Sequence, residues 1–304
     1  MRDARPLSVF YASLLLLSCA LLLLGWRSAH AQGTPPSEIC NGKDDDGDGL
    51  IDNGVNCDHY LTYLLDKSIT PIGVVLRDQF IQPTDFTLNL IERLFNPVRK
   101  LHAGMAFAPR RPDLHYLAYR VQTQAQFASQ PVLVENQLEN RAILVTKPRY
   151  LLTPTGKKKA GIPFDTAENV FAKLPSSFFP SVPKDANHYL CWDIEPYNIA
   201  KGVTLRDQFQ NKQFEVIRAL YLCNPAEKTH QGKVHPIVDR ENHFMCYEVI
   251  PHNTVNRTVF TNDQFGKRVL KAVRTEELCL PTKKTHIVSD CIPDGQNTCT
   301  PVQQ

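Results

Sequence analysis

Three short blocks recur in the same order four times along this chain, and that periodicity limits the architecture more than any other feature. The first block is His59-Tyr60-Leu61-Thr62-Tyr63, His115-Tyr116-Leu117-Ala118-Tyr119, His188-Tyr189-Leu190-Cys191-Trp192 and His243-Phe244-Met245-Cys246-Tyr247. The second is Val75-Leu76-Arg77-Asp78-Gln79-Phe80, Val134-Glu135-Asn136-Gln137-Leu138, Leu205-Arg206-Asp207-Gln208-Phe209 and Thr261-Asn262-Asp263-Gln264-Phe265. The third is Leu94-Phe95-Asn96-Pro97, Leu151-Leu152-Thr153-Pro154, Leu222-Cys223-Asn224-Pro225 and Leu278-Cys279-Leu280-Pro281. One supersecondary unit in four copies is the simplest reading.

The repeats read as strands. Phe86, Leu88 and Leu90 alternate with Thr87 and Asn89, and Val203, Leu205 and Phe209 keep one parity across Thr204, Arg206 and Gln208. Polar stretches such as Gln210-Asn211-Lys212 and Gly266-Lys267-Arg268 suit hairpin turns, which predicts three strands per repeat. Spacing groups the repeats in pairs: Pro97 to His115 and Pro225 to His243 are short gaps, whereas Pro154 to His188 is long and holds a Gly/Lys run and a Pro/Ser-rich run. The expected fold is therefore all-β, with two tandem β-sandwich or barrel-like domains, 58–155 and 187–283, each from two copies of a three-stranded repeat. Residues 156–186 are expected to be a linker, with Lys157-Lys158-Lys159 exposed and protease-sensitive, and 284–304 a C-terminal tail.

Residues 1–31 have the build of a signal peptide: Arg2 and Arg5, leucine runs around Cys19, then Ala29-His30-Ala31 before Gln32. Retention as an anchor is the alternative, because the apolar stretch could just span a bilayer core of ~30 Å. Cleavage would remove three arginines and one aspartate from a whole-chain charge of +3, leaving +1. A balance so near neutral argues against nucleic acid or an anionic membrane as the main partner, and cleavage of residues 1–31 is expected to leave no membrane span in the mature chain. The location expected is outside the cytoplasm: secreted, at the cell surface or in the periplasm.

Eight of the nine cysteines remain after cleavage, and an even number in an exported chain points to disulfides. Repeats three and four carry Cys in both the first and third blocks, Cys191 with Cys223 and Cys246 with Cys279. Repeats one and two carry neither, having Thr62 with Phe95 and Ala118 with Leu152. Residues present or absent together within one unit are most simply partners within it. Cys40 with Cys57, and Cys291 with Cys299, are expected to close the two terminal loops.

The segment 32–57 holds the one pointed chemical motif, Asp44-Asp45-Asp46-Gly47-Asp48-Gly49-Leu50-Ile51-Asp52. A hard divalent cation takes six to eight oxygens, and the alternating carboxylates of Asp44, Asp46 and Asp48, the Leu50 carbonyl and Asp52 are the expected calcium ligands. Val55 stands where an EF-hand has Glu, so a full EF-hand is excluded and affinity of ~10⁻⁴–10⁻³ M is expected. Together with Glu38, Cys40, Asn41 and Gly42, these residues resemble the metal-binding motif of MopE-type secreted bacterial proteins. Gly47 stands where that family often has another Cys. The resemblance implies metal binding, and an all-oxygen donor set suits calcium rather than copper.

Across 58–283 the blocks resemble an uncharacterised repeat domain found in several copies in exported bacterial proteins, a resemblance that implies export and tandem architecture but no activity. The four block histidines are read as structural, and the Asp of the second block as a turn-former through bonds to the backbone. No G-x-S-x-G, H-E-x-x-H or Gly-rich phosphate loop occurs. The functional expectation is a non-enzymatic calcium-binding protein whose repeats bind an extracellular protein or polysaccharide. The rivals are an enzyme acting on an extracellular polymer between the domains, and a structural spacer.

Overall fold

The computed structural model describes Glu38, residues 43–47 and residues 58–287. The expected signal segment, Asp48, Leu50, Asp52 and the four terminal cysteines lie outside the described residues. Each first block opens a strand on its histidine: β1 (His59–Arg77), β4 (His115–Gln122), β7 (His188–Arg206) and β10 (His243–Ile250). Each third block lies within a long returning strand: β2 (Thr84–His102), β6 (Asn140–Lys159), β8 (Asn211–His230) and β12 (Gly266–His286). Short strands β3 (Met105–Phe107) and β9 (Lys233–His235) fold back on β2 and β8, and β5 (Gln130–Glu135) and β11 (Thr254–Asp263) complete repeats two and four.

Every repeat therefore has three strands, but in the first and third copies the third is the short return strand β3 or β9. In the first and third copies the outgoing strand is continuous and bends through register shifts, between Ser68 and Ile72 in β1 and between Asp193 and Tyr197 in β7. Bulges absorb there the bend that a break supplies in the other two. All pairings are antiparallel, so the all-β expectation holds. No described helix is long and apolar enough to cross a membrane.

The block segments close a ring. β1 pairs β2, β2 pairs β4, β4 pairs β6, β6 pairs β7, β7 pairs β8, β8 pairs β10, β10 pairs β12, and β12 returns to β1. This is an eight-stave barrel with two staves from each repeat. Its inner face follows from the second residue of each first block. Tyr60, Tyr116, Tyr189 and Phe244 sit on alternate staves, yet each touches the next, with ring centroids 5.4, 5.6, 4.7 and 5.3 Å apart. Only side chains pointing at a shared axis can meet in this way. Their neighbours Leu61, Leu117, Leu190 and Met245 have the opposite parity and belong to a second, larger apolar cluster.

That larger cluster is where the rest of each repeat packs. Val74, Val132, Val203 and Val259 from the outgoing strands join Leu61, Leu117 and Leu190 in it. The ends of these arms reach the repeat two places along. Val75–Arg77 pair with Glu227–Thr229, Thr204–Arg206 with Arg99–Leu101, Val132–Glu135 with Lys283–His286, and Val259–Asn262 with Gly156–Lys159.

The division into domains 58–155 and 187–283 is thereby corrected. Four staves from one pair of repeats would leave β1 and β6 as open edges with unpaired backbone groups. The other pair covers both. What the spacing reported is a two-fold relation between halves of one structure. Asp58 accepts bonds from the Arg110 and Arg111 amides, and Asn187 accepts the equivalent bonds from Val238 and Asp239. Residues 156–186 are likewise no free linker. Lys157–Lys159 pair with β11, and helix α1 (Phe164–Phe171) belongs to a small apolar cluster with Phe179, Phe260 and Val269.

The expected cysteine pairs are present as Cys191–Cys223 and Cys246–Cys279. Each joins residues directly opposite on neighbouring staves, the register positions that Thr62 and Phe95, and Ala118 and Leu152, fill in the first two repeats.

Candidate functional site

The Asp-rich segment starts from Glu38, which is buried to 6% exposure. Its Oε1 accepts bonds from the amides of Asp45 and Asp46 at 2.7 and 3.0 Å, while Asp44 Oδ1 accepts from the Gly47 amide at 2.7 Å. Gly47 has φ +75°, a conformation that favours glycine and lets the chain turn back here. Ligand oxygens of Glu38, Asp44 and Asp46 lie within 4.8 Å of one another. The other Glu38 oxygen, Oε2, is buried and without a hydrogen-bond partner among the described residues. An unpartnered buried carboxylate oxygen is costly unless a cation or donor meets it. Glu38 was not among the five expected ligands, although it opens the motif. It joins Asp44 and Asp46, while Asp48, Leu50 and Asp52 lie outside the described residues. Lys43 ties the segment to the repeats through Glu135 at 3.0 Å.

The second blocks form the arm tips and act as expected at the backbone. Asp78 Oδ1 accepts from Phe80 and Ile81 amides, Asn136 Oδ1 from Leu138 and Glu139, Asp207 Oδ1 from Phe209 and Gln210, and Asp263 Oδ1 from Phe265. The turns thus fall on the Asp-Gln-Phe block itself, just before the polar stretches expected to make them.

Their second oxygens do something sequence reasoning did not foresee. Asp78 Oδ2 accepts from Trp192 Nε1 and Asn224 Nδ2, two repeats away, at 2.8 and 3.0 Å. Asp207 reciprocates with Tyr63 and Asn96, and Asp263 accepts from Tyr119 and Thr153. Asn136, the exception in type, donates instead to Tyr247 and Thr282. The residue in each tip is matched to the donor character of its partners. Burial raises the Asp78 carboxyl above its usual range, against the bonds from Asn224, Phe80 and Trp192.

The glutamine after each of these residues meets a lysine and a histidine. Lys100 and Lys228 are wholly buried, and each places Nζ in direct contact with a tip glutamine, Gln137 and Gln264. His59 Nε2 lies 3.0 Å from Gln137 Oε1, and His188 Nε2 lies 2.6 Å from Gln264 Nε2. In the other two copies Lys157 donates to Gln208 at 2.9 Å, and Lys284 turns to Asn224 at 2.7 Å. Burial lowers Lys157, Lys228 and Lys284 to about 7 each. Burial likewise holds His115 and His188 well below the ordinary imidazole range and His243 at about 3. These lysines escaped the sequence reading, yet they carried a signal: Pro97, Pro154, Pro225 and Pro281 are each followed three residues later by Lys.

Inside the barrel, beyond the disulfide layer, Arg93 reaches Glu277, which also accepts from Thr62 and Tyr221. At the other end, a cavity of about 360 Å³ is lined by Arg111, Tyr116, Tyr189 and Asn187 among others, beside the aromatic ring.

Residues 168–281, from α1 to the third block of the fourth repeat, match the family model described as a repeat of unknown function (DUF7450). This supports an uncharacterised repeat domain over that part of the chain. No curated protein and no solved structure matches the chain.

Proposed function

We propose that this is an exported, non-enzymatic protein that binds calcium through its Asp-rich segment and presents a rigid barrel of repeats to an extracellular protein or polysaccharide. The observation carrying the metal reading is the buried, unpartnered Glu38 oxygen beside Asp44 and Asp46. Three carboxylates drawn together repel one another unless a cation neutralises them. Three hard oxygens from Glu38, Asp44 and Asp46, extended by Asp48, the Leu50 carbonyl and Asp52, make a donor set of calcium type. The binding reading is supported by how the recurring polar side chains are used. The tip Asp and Gln residues face partners in other repeats, an arrangement that stiffens the barrel. Export is supported by two disulfides, which persist in oxidising compartments.

Calorimetry and thermal melting of residues 32–304 test the metal. Calcium at about 100 times its Kd stabilises a one-site protein by ~2.7 kcal/mol. Glu38→Gln and Asp46→Asn should remove both the heat and the shift. A wild-type chain with neither heat nor shift at ~10–100 mM calcium, about 100 times the expected Kd, refutes calcium binding. A glycan array and a pull-down with the same chain, with and without calcium, test the surface reading.

A further inference from the structure

We propose that the side chains of Lys228 and Gln264 are joined by an amide bond that the protein forms on itself, with Lys100 and Gln137 as the two-fold equivalent pair. The starting point is the contact between Lys228 Nζ and the Gln264 carboxamide at a wholly buried position. A lysine placed there has no solvent to hold its charge, so its amine is nucleophilic near neutral pH. The Phe265 ring covers it, with Nζ 5.0 Å from the centroid, and the Phe107 ring covers Lys100 at the same distance.

The second participant is the histidine. His188 Nε2 lies 2.6 Å from Gln264 Nε2, the nitrogen that would leave, and its Nδ1 is buried with no hydrogen-bond partner. Burial keeps this imidazole unprotonated, so Nε2 is free to accept a proton. In the equivalent pair the imidazole of His59 approaches the carbonyl side, Gln137 Oε1, at 3.0 Å. The Asp263 carboxylate, on the residue before Gln264, favours the charged amine, but burial outweighs it and lowers Lys228 to about 7. An amine, a carboxamide and a base in a water-poor setting are the parts that transamidation needs.

The step balances without any other reactant. Lys228 Nζ attacks Gln264 Cδ, and the Nζ–Cδ bond forms as the Cδ–Nε2 bond breaks. The proton lost by Nζ passes through His188 to the departing nitrogen, which leaves as ammonia. The product ties β8 to the tip between β11 and β12, closing a covalent link between repeats three and four.

The same molecule supplies its controls. Lys157 keeps an ordinary hydrogen bond of 2.9 Å to Gln208, and Lys284 faces Asn224 while Gln79 faces His286, so neither pair is placed to react. The experiment is peptide mapping by mass spectrometry of the full chain purified from its oxidising compartment and then reduced. The expected result is a branched peptide joining Lys228 to Gln264, lighter by one ammonia than its two parts. Lys228→Met abolishes it, and Gln264→Glu, which has no amide nitrogen to release, abolishes the loss of ammonia. Separate, unmodified peptides spanning Lys228 and Gln264 overturn the proposal. So does an ammonia loss traced only to a cyclised N-terminal glutamine.

Discussion

Replacing Asp78 by Asn tests how the arm tips hold the barrel, because it removes one charge and changes almost no volume. The retained Oδ1 can still accept the Phe80 and Ile81 amides, so the turn survives. The new Nδ2 would face Trp192 Nε1, which can only donate, and the amide nitrogen of Asn224. Asn224 cannot turn over without cost, because its Oδ1 already accepts from Lys284 at 2.7 Å. Two buried donors are stranded at ~1–3 kcal/mol each, offset in part by no longer burying a carboxylate, for a net loss of ~2–4 kcal/mol. For a unit of this size that is a Tm fall of roughly 4–16 °C.

The chemically identical change Asp207→Asn should cost under ~1 kcal/mol, because its partners can adapt. Asn96 Oδ1 and Gln210 Oε1 are both buried without partners, so both amides can turn over to receive the new N–H and the Tyr63 hydroxyl. Urea unfolding at neutral pH measures both variants, with the difference read from midpoints at equal slope. If Asp207→Asn costs as much as Asp78→Asn, the donor-matching argument is wrong.

Two further perturbations address the barrel as a whole. Reducing Cys191–Cys223 removes a staple across 32 residues, worth ~3–4 kcal/mol in the chain-entropy model, and should lower one cooperative transition of all four repeats. Separate transitions, with 58–155 unmoved, would refute the closed ring. Acid should destabilise the fold through His115, His188 and His243. Their folded-state values lie below the unfolded value near 6.5, so the unfolded chain binds the extra protons and stability falls as pH drops through 6.5. The slope is at most ~1.4 kcal/mol per pH unit for each histidine, continuing for His243 towards about 3. A midpoint flat between pH 7 and 5 contradicts this, as would an NMR titration of His243 near 6.5.

How much was legible in the sequence depends on the range of the interaction. Asp78, Asp207 and Asp263 announced turns because an Asx bond spans two or three residues, and the structure has those bonds. The cysteine pairs were legible because both partners sit in one repeat and vary together between copies. Of the expected metal ligands, Asp44 and Asp46 lie within 4.8 Å of Glu38, a motif residue whose burial and unpartnered oxygen only the folded chain displays.

The four-fold sequence repeat by itself determined an all-β chain, its strand starts, its turns and its staples, since each is decided within one copy. Only the tertiary structure decided that the copies share one barrel. A single pair of repeats cannot satisfy its own edge strands, and which edge meets which is a choice between surfaces far apart in sequence. The contacts between Asp78 and Trp192, and between Lys228 and Gln264, belong to that second level. Each sits in a different repeat from its partner, so neither contact is decided within one copy.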